Sequence, residues 1–127
     1  MSQLTIAVIG ASSSRHKFGN KAVRAYHRAG WQVFPIHPSA REIEGLPVYR
    51  NIREVPVPRL DRVSIYLPPS VGLQIVDELA QVPCGEVWLN PGAESAELIE
   101  RGRALGLNIA LGCSIVDIGV NPHALDA

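Results

Sequence analysis

A chain of 127 residues with 12 basic and 12 acidic side chains has no net charge, which removes the electrostatic case for nucleic acid or an anionic membrane surface. Its length suits a single domain over residues 1–127 with a self-sufficient core. No apolar run approaches the roughly 20 residues of a membrane span, no cleavable leader is legible, and Cys84 and Cys113 are too few for a disulfide framework, so a soluble cytoplasmic protein is expected.

Leu4 to Ile9 reads as the first strand. Its run Ile6-Ala7-Val8-Ile9 is apolar at every position, as in a strand covered on both faces, and it enters Gly10-Ala11-Ser12-Ser13-Ser14 directly. Small side chains there let a ligand approach the backbone, and the free amides opening the next helix favour an anion. Each such helix-end effect is worth only about 0.3–1 kcal/mol, so several amides must act with Ser12, Ser13 and Lys17 to hold a pyrophosphate. The same Gly-Ala-Ser turn also joins strand to helix in proteins that hold nothing there.

The first helix is predicted from Asn20 to Ala29, with Ala22, Val23, Tyr26 and Ala29 on one face and Gly30 beyond its end. Trp31 to Ile36 reads as strand two, closing at His37-Pro38, with Pro35 withholding one ladder hydrogen bond. A polar connection from Ser39 to Glu44 leads to Gly45-Leu46-Pro47-Val48-Tyr49, a short edge strand. Asn51 to Val55 suits one helical turn, and Asp61 to Leu67 is strand four, stopped by Pro68-Pro69. Ser70 is expected to cap a helix to about Gln81 whose buried stripe is Val71, Ile75, Val76, Leu79 and Ala80. Glu86 to Leu89 is strand five, ending at Asn90-Pro91-Gly92. A helix from Ser95 to Leu105 and a short sixth strand from Asn108 to Leu111 follow.

Strands alternating with helices of about ten residues predict an α/β, doubly wound domain. Its sheet is expected to be mostly parallel, with five to six strands in the order 3-2-1-4-5-6 and helices on both faces. Ligands of such sheets bind outside the carboxyl ends of the strands, where the order reverses. Gly10 to Gly19, His37 to Arg41, Leu67 to Ser70, Asn90 to Glu94 and Gly112 to Ser114 are therefore expected around one crevice.

A nicotinamide fingerprint, G-x-G-x-x-G, is not present: after Gly10 the next glycine is Gly19. Strand two ends at His37, with Arg41 close behind, where an NAD site wants a carboxylate for the ribose hydroxyls. That basic corner favours a phosphorylated ribose, as in NADP or coenzyme A.

Gly10-Ala11-Ser12-Ser13 followed by Lys17-Phe18-Gly19-Asn20, then Glu42-Ile43-Glu44-Gly45 before Pro47-Val48-Tyr49, then Pro68-Pro69, resembles the small stand-alone CoA-binding domain family. That family is similar to the N-terminal domain of the succinyl-CoA synthetase alpha subunit, and the likeness runs from Leu4 to about Ile118. It implies a Rossmann-like domain that holds coenzyme A or an acyl-CoA by its ADP part. Carried over by position, it points to Gly10, Ala11, Ser12, Ser13, Lys17, Phe18 and Gly19 at the pyrophosphate, to His37 and Arg41 at the ribose, and to Leu67, Pro68 and Val71 beside the adenine. The sequence departs from the family at Asn90-Pro91-Gly92, where a Gln-Leu-Gly-like turn is common, and at Leu111-Gly112-Cys113, where Asp-Arg-Cys is frequent. The synthetase's phosphohistidine belongs to a second domain, so the resemblance implies no ligase chemistry.

His16, His27, His37 and His123 are scattered, so no metal is expected, and no Ser-His-Asp or Cys-His constellation can be assembled, so no catalytic residue is assigned. Cys113 is either a thiol close to a bound thiol or an inert half-core side chain. Trp31 and Trp88 read as packing residues. Three functions remain: a CoA or acyl-CoA binding protein with this small nucleotide as its partner, an NADP-dependent oxidoreductase domain, or an interaction module without ligand. In the last case the apolar tail Ile115 to Val120 serves a homodimer interface as readily as the core.

Overall fold

The computed structural model describes residues 3–125. In chain order its elements are β1 (Thr5–Ile9), α1 (Phe18–Arg28), β2 (Gln32–Ile36), β3 (Glu42–Ile43), β4 (Leu46–Pro47), β5 (Leu60–Ile65), α2 (Pro69–Leu79), β6 (Cys84–Leu89), α3 (Ala96–Ala104), β7 (Ile109–Leu111) and α4 (Ser114–Asp117). Five strands form one parallel sheet in the order β2-β1-β5-β6-β7. Its direction of winding reverses between β1 and β5, as the alternating pattern predicts.

β1 is buried throughout because each of its faces meets a different helix layer. Ile6 and Val8 pack with Val23 and Tyr26 of α1 and with Ile115 of α4. Ala7 and Ile9 join Val63, Ile65, Val76, Leu79, Leu89 and Leu98 beneath α2 and α3. Alternation along a strand sends successive side chains to opposite faces, so a run without a polar residue requires cover on both. The tail expected to serve either core or interface divides: Ile115 is fully buried and Val116 is exposed.

The predicted third strand does not form a ladder. Leu46–Pro47 folds back on Glu42–Ile43 as an antiparallel hairpin, and only Tyr49 reaches the sheet, in a single parallel bridge with Ile36. Glu44 (φ 52°) and Gly45 (φ 78°) make the two-residue turn, both in the left-handed region that a tight hairpin requires. Proline explains the rest. The Pro35 carbonyl points outward and accepts from the Tyr49 amide at 3.0 Å, so the N–H that Pro35 lacks is also missing from this outer edge. Pro47 removes a second donor.

Helix ends follow local chemistry. α1 stops at a Schellman motif: Gly30 (φ +91°) donates to His27, the Trp31 amide donates to Tyr26 at 3.0 Å, and the Trp31 ring meets the Tyr26 ring edge-on at 4.9 Å. α2 begins before the expected cap at Ser70. Pro69 occupies its first turn, where no N–H is needed, and the Pro68 carbonyl takes the amides of Val71 and Gly72 at 2.9 and 3.0 Å. The helix ends at Leu79, and Ala80, expected in the buried stripe, is exposed.

On the α1/α4 side the middle of the sheet is polar. Arg62 lies between the rings of Trp31 and Trp88, at 5.3 and 5.1 Å, pairs with Glu86 at 2.8 Å and Asp117 at 2.7 Å, and donates to the Tyr26 hydroxyl at 3.1 Å. Burial works against its charge, and these bonds outweigh it, so its pKa stays above the ordinary arginine value. The two tryptophans are thus packing residues whose partner is a cation.

Candidate functional site

A cleft of about 770 Å³ opens at the carboxyl ends of β2, β1 and β5, against α2. It lies at the point of strand reversal, where two neighbouring connections leave the sheet in opposite directions and leave a gap between them.

Two glycines shape its floor. Gly10 (φ +88°) follows β1, and a Cβ there would lie 2.6 Å from the Tyr66 carbonyl oxygen. A Cβ on Gly19, in the first turn of α1, would overlap the Gly10 carbonyl itself. One glycine therefore lets the chain turn, and the other lets the helix start pressed against that turn. These are the tasks of the outer glycines in a dinucleotide fingerprint, performed across a longer loop.

The loop between them is held from α1 and from the β3–β4 hairpin. Asn20, fully buried, donates from Nδ2 to the Ser12 carbonyl at 2.9 Å and to Glu44 Oε2 at 3.1 Å, and accepts from Arg24 Nε at 2.7 Å. Arg24, also buried, donates to the Arg15 carbonyl at 2.7 Å. The Glu42-Ile43-Glu44-Gly45 motif thereby acquires a physical role: Ile43 anchors the hairpin in the core and Glu44 ties its tip to the loop. Apolar periodicity leaves Asn20 and Arg24 blank. Their signal is a polar i, i+4 pair on the buried side of an amphipathic helix.

The helix end itself is open to an anion. α1 has no side-chain cap and no acidic residue in its first turn, and the amides of Phe18 and Gly19 are the first two of the helix, without a helical acceptor. Lys17 occupies the N-cap position. A cation there opposes the helix dipole, an arrangement that an anion over the same amides would relieve.

The structure brings together Gly10, Ala11, Ser12, Lys17, Phe18, Gly19, His37, Leu67, Pro68 and Val71 of the predicted residues. Ser13 and Arg41 are exposed and do not line the cleft. Arg50, which sequence reasoning passed over, lines it instead. The Tyr49–Ile36 bridge is the reason: the His37 amide donates to the Tyr49 carbonyl at 3.0 Å, so the residue after Tyr49 emerges beside His37 at the sheet's edge. His37 Nδ1 accepts from the amides of Ser39 and Ala40 at 3.1 and 2.9 Å, which leaves Nε2 to meet a ligand. Ile9, Ile36 and Ile52 face Leu67, Val71 and Ile75 to give the cleft an apolar slot. The result is a cleft with free amides at the helix end, cations at the rim and apolar walls along the slot.

The turn after β7 does not reach this cleft, contrary to the expected ring of loops. Cys113 faces a second, smaller cavity on the other side of Phe18. Among the described residues no group of three or more His, Cys, Asp or Glu is placed to hold a metal ion, and no helix is long and apolar enough to cross a membrane.

Comparison with known proteins bears on the family and the fold. The family described as the CoA binding domain matches residues 4–119. ADP-forming acetate-CoA ligase I of Archaeoglobus fulgidus is 27% identical over 130 residues, covering 91% of this chain and 19% of its own. The alpha subunit of ADP-forming acetate-CoA ligase II from Pyrococcus furiosus is 29% identical over 132 residues, covering 94% and 28%. The chain thus spans less than a third of either ligase. A solved structure of a conserved hypothetical protein from Pyrococcus furiosus, 34% identical, superimposes with a TM-score of 0.82 over 90% of this chain and 98% of that one.

Proposed function

The chain belongs to the CoA-binding domain family, and from that membership we propose that it binds coenzyme A or an acyl-CoA by the ADP moiety in the cleft at the end of β1. The observation that carries this reading is the uncapped start of α1, pressed against Gly10 and flanked by Lys17. The amides of Phe18 and Gly19, with the Ser12 hydroxyl, are assigned to the pyrophosphate. Ser12 Oγ already accepts from the Ser14 amide at 3.0 Å, so its remaining role is to donate. Adenine is assigned to the slot between Ile36 and Val71, and the phosphorylated ribose to the corner of His37 and Arg50. The chain's part is binding. The ligase activity named for the longer relatives belongs to proteins of which it spans a minor share.

Calorimetric titration with CoA, dephospho-CoA, NADH and NADPH tests the reading. CoA is expected to bind tightest, and loss of its 3′-phosphate to weaken it about tenfold, the scale of one charge-assisted contact. Tighter binding of NADPH than of CoA assigns the cleft to an oxidoreductase cofactor, and failure of all four nucleotides removes the proposal.

A further inference from the structure

The second cavity, of about 340 Å³, shares Phe18, Tyr66 and Pro91 with the cleft and continues from it past the start of α1. Part of its polar wall is already committed. Asn90 donates to Ser64 Oγ at 2.8 Å and to the Ile65 carbonyl at 3.0 Å, and accepts from the Ser114 amide at 2.9 Å. The Tyr66 hydroxyl bonds Ser114 Oγ at 3.2 Å, and Asn121 Oδ1 accepts from the His123 amide at 3.0 Å. What these walls offer an occupant is chiefly apolar surface. Of the four large hydrophobic residues exposed among the described residues, two line this one cavity: Phe18, 42% exposed, and Val116, 57% exposed. Exposed apolar side chains grouped at the mouth of a cavity mark a surface that a ligand covers.

We infer that this cavity is an acyl subsite, which takes the hydrocarbon end of a CoA thioester whose ADP part occupies the cleft. The inference rests on the proposed binding of CoA. Phe18 lies where the two cavities meet, so a molecule whose adenine fills the slot and whose pyrophosphate sits on the Phe18 amide has the second cavity open to its pantetheine arm and to the acyl group that the arm carries.

Calorimetry of the full chain with CoA, acetyl-CoA, butyryl-CoA and hexanoyl-CoA tests this. Affinity relative to CoA is expected to rise by up to about fourfold per buried methylene until the cavity is full. Val116→Glu is expected to flatten that series. Leu111→Glu, a change at an equally exposed residue outside the cavity, is expected to leave it intact. Thermal melting reports that both variants fold. CoA binding with a flat wild-type series, or a series unchanged in Val116→Glu, overturns the inference and leaves the proposed function standing. A wild-type dimer split by Val116→Glu, with a flat series, gives the patch to a second copy and overturns it too. Failure of CoA and every thioester to bind overturns both.

Discussion

Gly19 stands against the Gly10 carbonyl so closely that no Cβ fits between them. Because the obstacle is backbone, a side chain at position 19 can be accommodated only by moving α1 away from the end of β1. Gly19→Ala is therefore expected to cost about 2–4 kcal/mol in urea unfolding and to abolish nucleotide binding in calorimetry. Gly30 has nothing within 4 Å of its ideal Cβ, so Gly30→Ala is expected to cost only the left-handed conformation, about 1–2 kcal/mol, with binding unchanged. Equal effects at the two positions would mean that the turn yields.

Lys17 stands at the N-cap of α1, where its charge opposes the helix dipole and borders the proposed phosphate site. Lys17→Ser supplies a capping side chain and removes a cation from the positive end of the helix dipole, so it is expected to stabilise the ligand-free protein by about 0.5–1.5 kcal/mol. The same change is expected to weaken CoA about tenfold. Thermal melts and calorimetry on one preparation check both signs, and unaltered affinity would take Lys17 out of the site.

Arg50 and Arg41 separate by their positions. Arg50→Gln is expected to weaken CoA about tenfold while leaving dephospho-CoA nearly unchanged, because only the former carries the phosphate assigned to that corner. Arg41→Gln is expected to alter neither. Equal losses for both ligands in Arg50→Gln would place its contact elsewhere on the nucleotide.

Tyr66 gives the fold an alkaline limit. Burial pushes its phenol from 10.0 up to about 12, against the hydrogen bonds from Ser114 and Ser64, which lower it. A folded-state pKa above the unfolded one contributes stability that is complete below about pH 10 and is lost as pH rises toward about 12. Unfolding free energy is expected to fall across that window, by up to about 1.4 kcal/mol per pH unit from this group. In Tyr66→Phe that share disappears, so the gap between the two proteins narrows as the solution becomes alkaline. Parallel curves would show that Tyr66 does not carry the dependence.

The all-apolar run of β1, the stripe of Ala22, Val23 and Tyr26, and the Gly30 stop are local patterns with a fixed period. From them alone the α/β class, the parallel order around β1 and the position of the turn between β1 and α1 could be derived. Most of the candidate cleft came with them, because the carboxyl ends of strands are positions along the chain. Lys17, His37, Leu67 and Pro68 all lie there.

Tertiary structure decided what depends on partners distant in sequence. Whether Gly45 to Tyr49 joins the sheet turned on the donors shared between it and the outer edge of β2, and Pro35 on one side with Pro47 on the other left too few. That single bridge in turn set Arg50, rather than Arg41, beside His37 in the cleft. Asn20 and Arg24 became the supports of the loop only once α1 lay against it, and the Ser64–Asn90–Ser114 network exists only because three separate strand ends converge. Hydrophobic period records which face of an element is buried. It does not record which polar group waits on the other side of the interface, since hydrogen-bond partners are set by register and packing rather than by spacing along the chain.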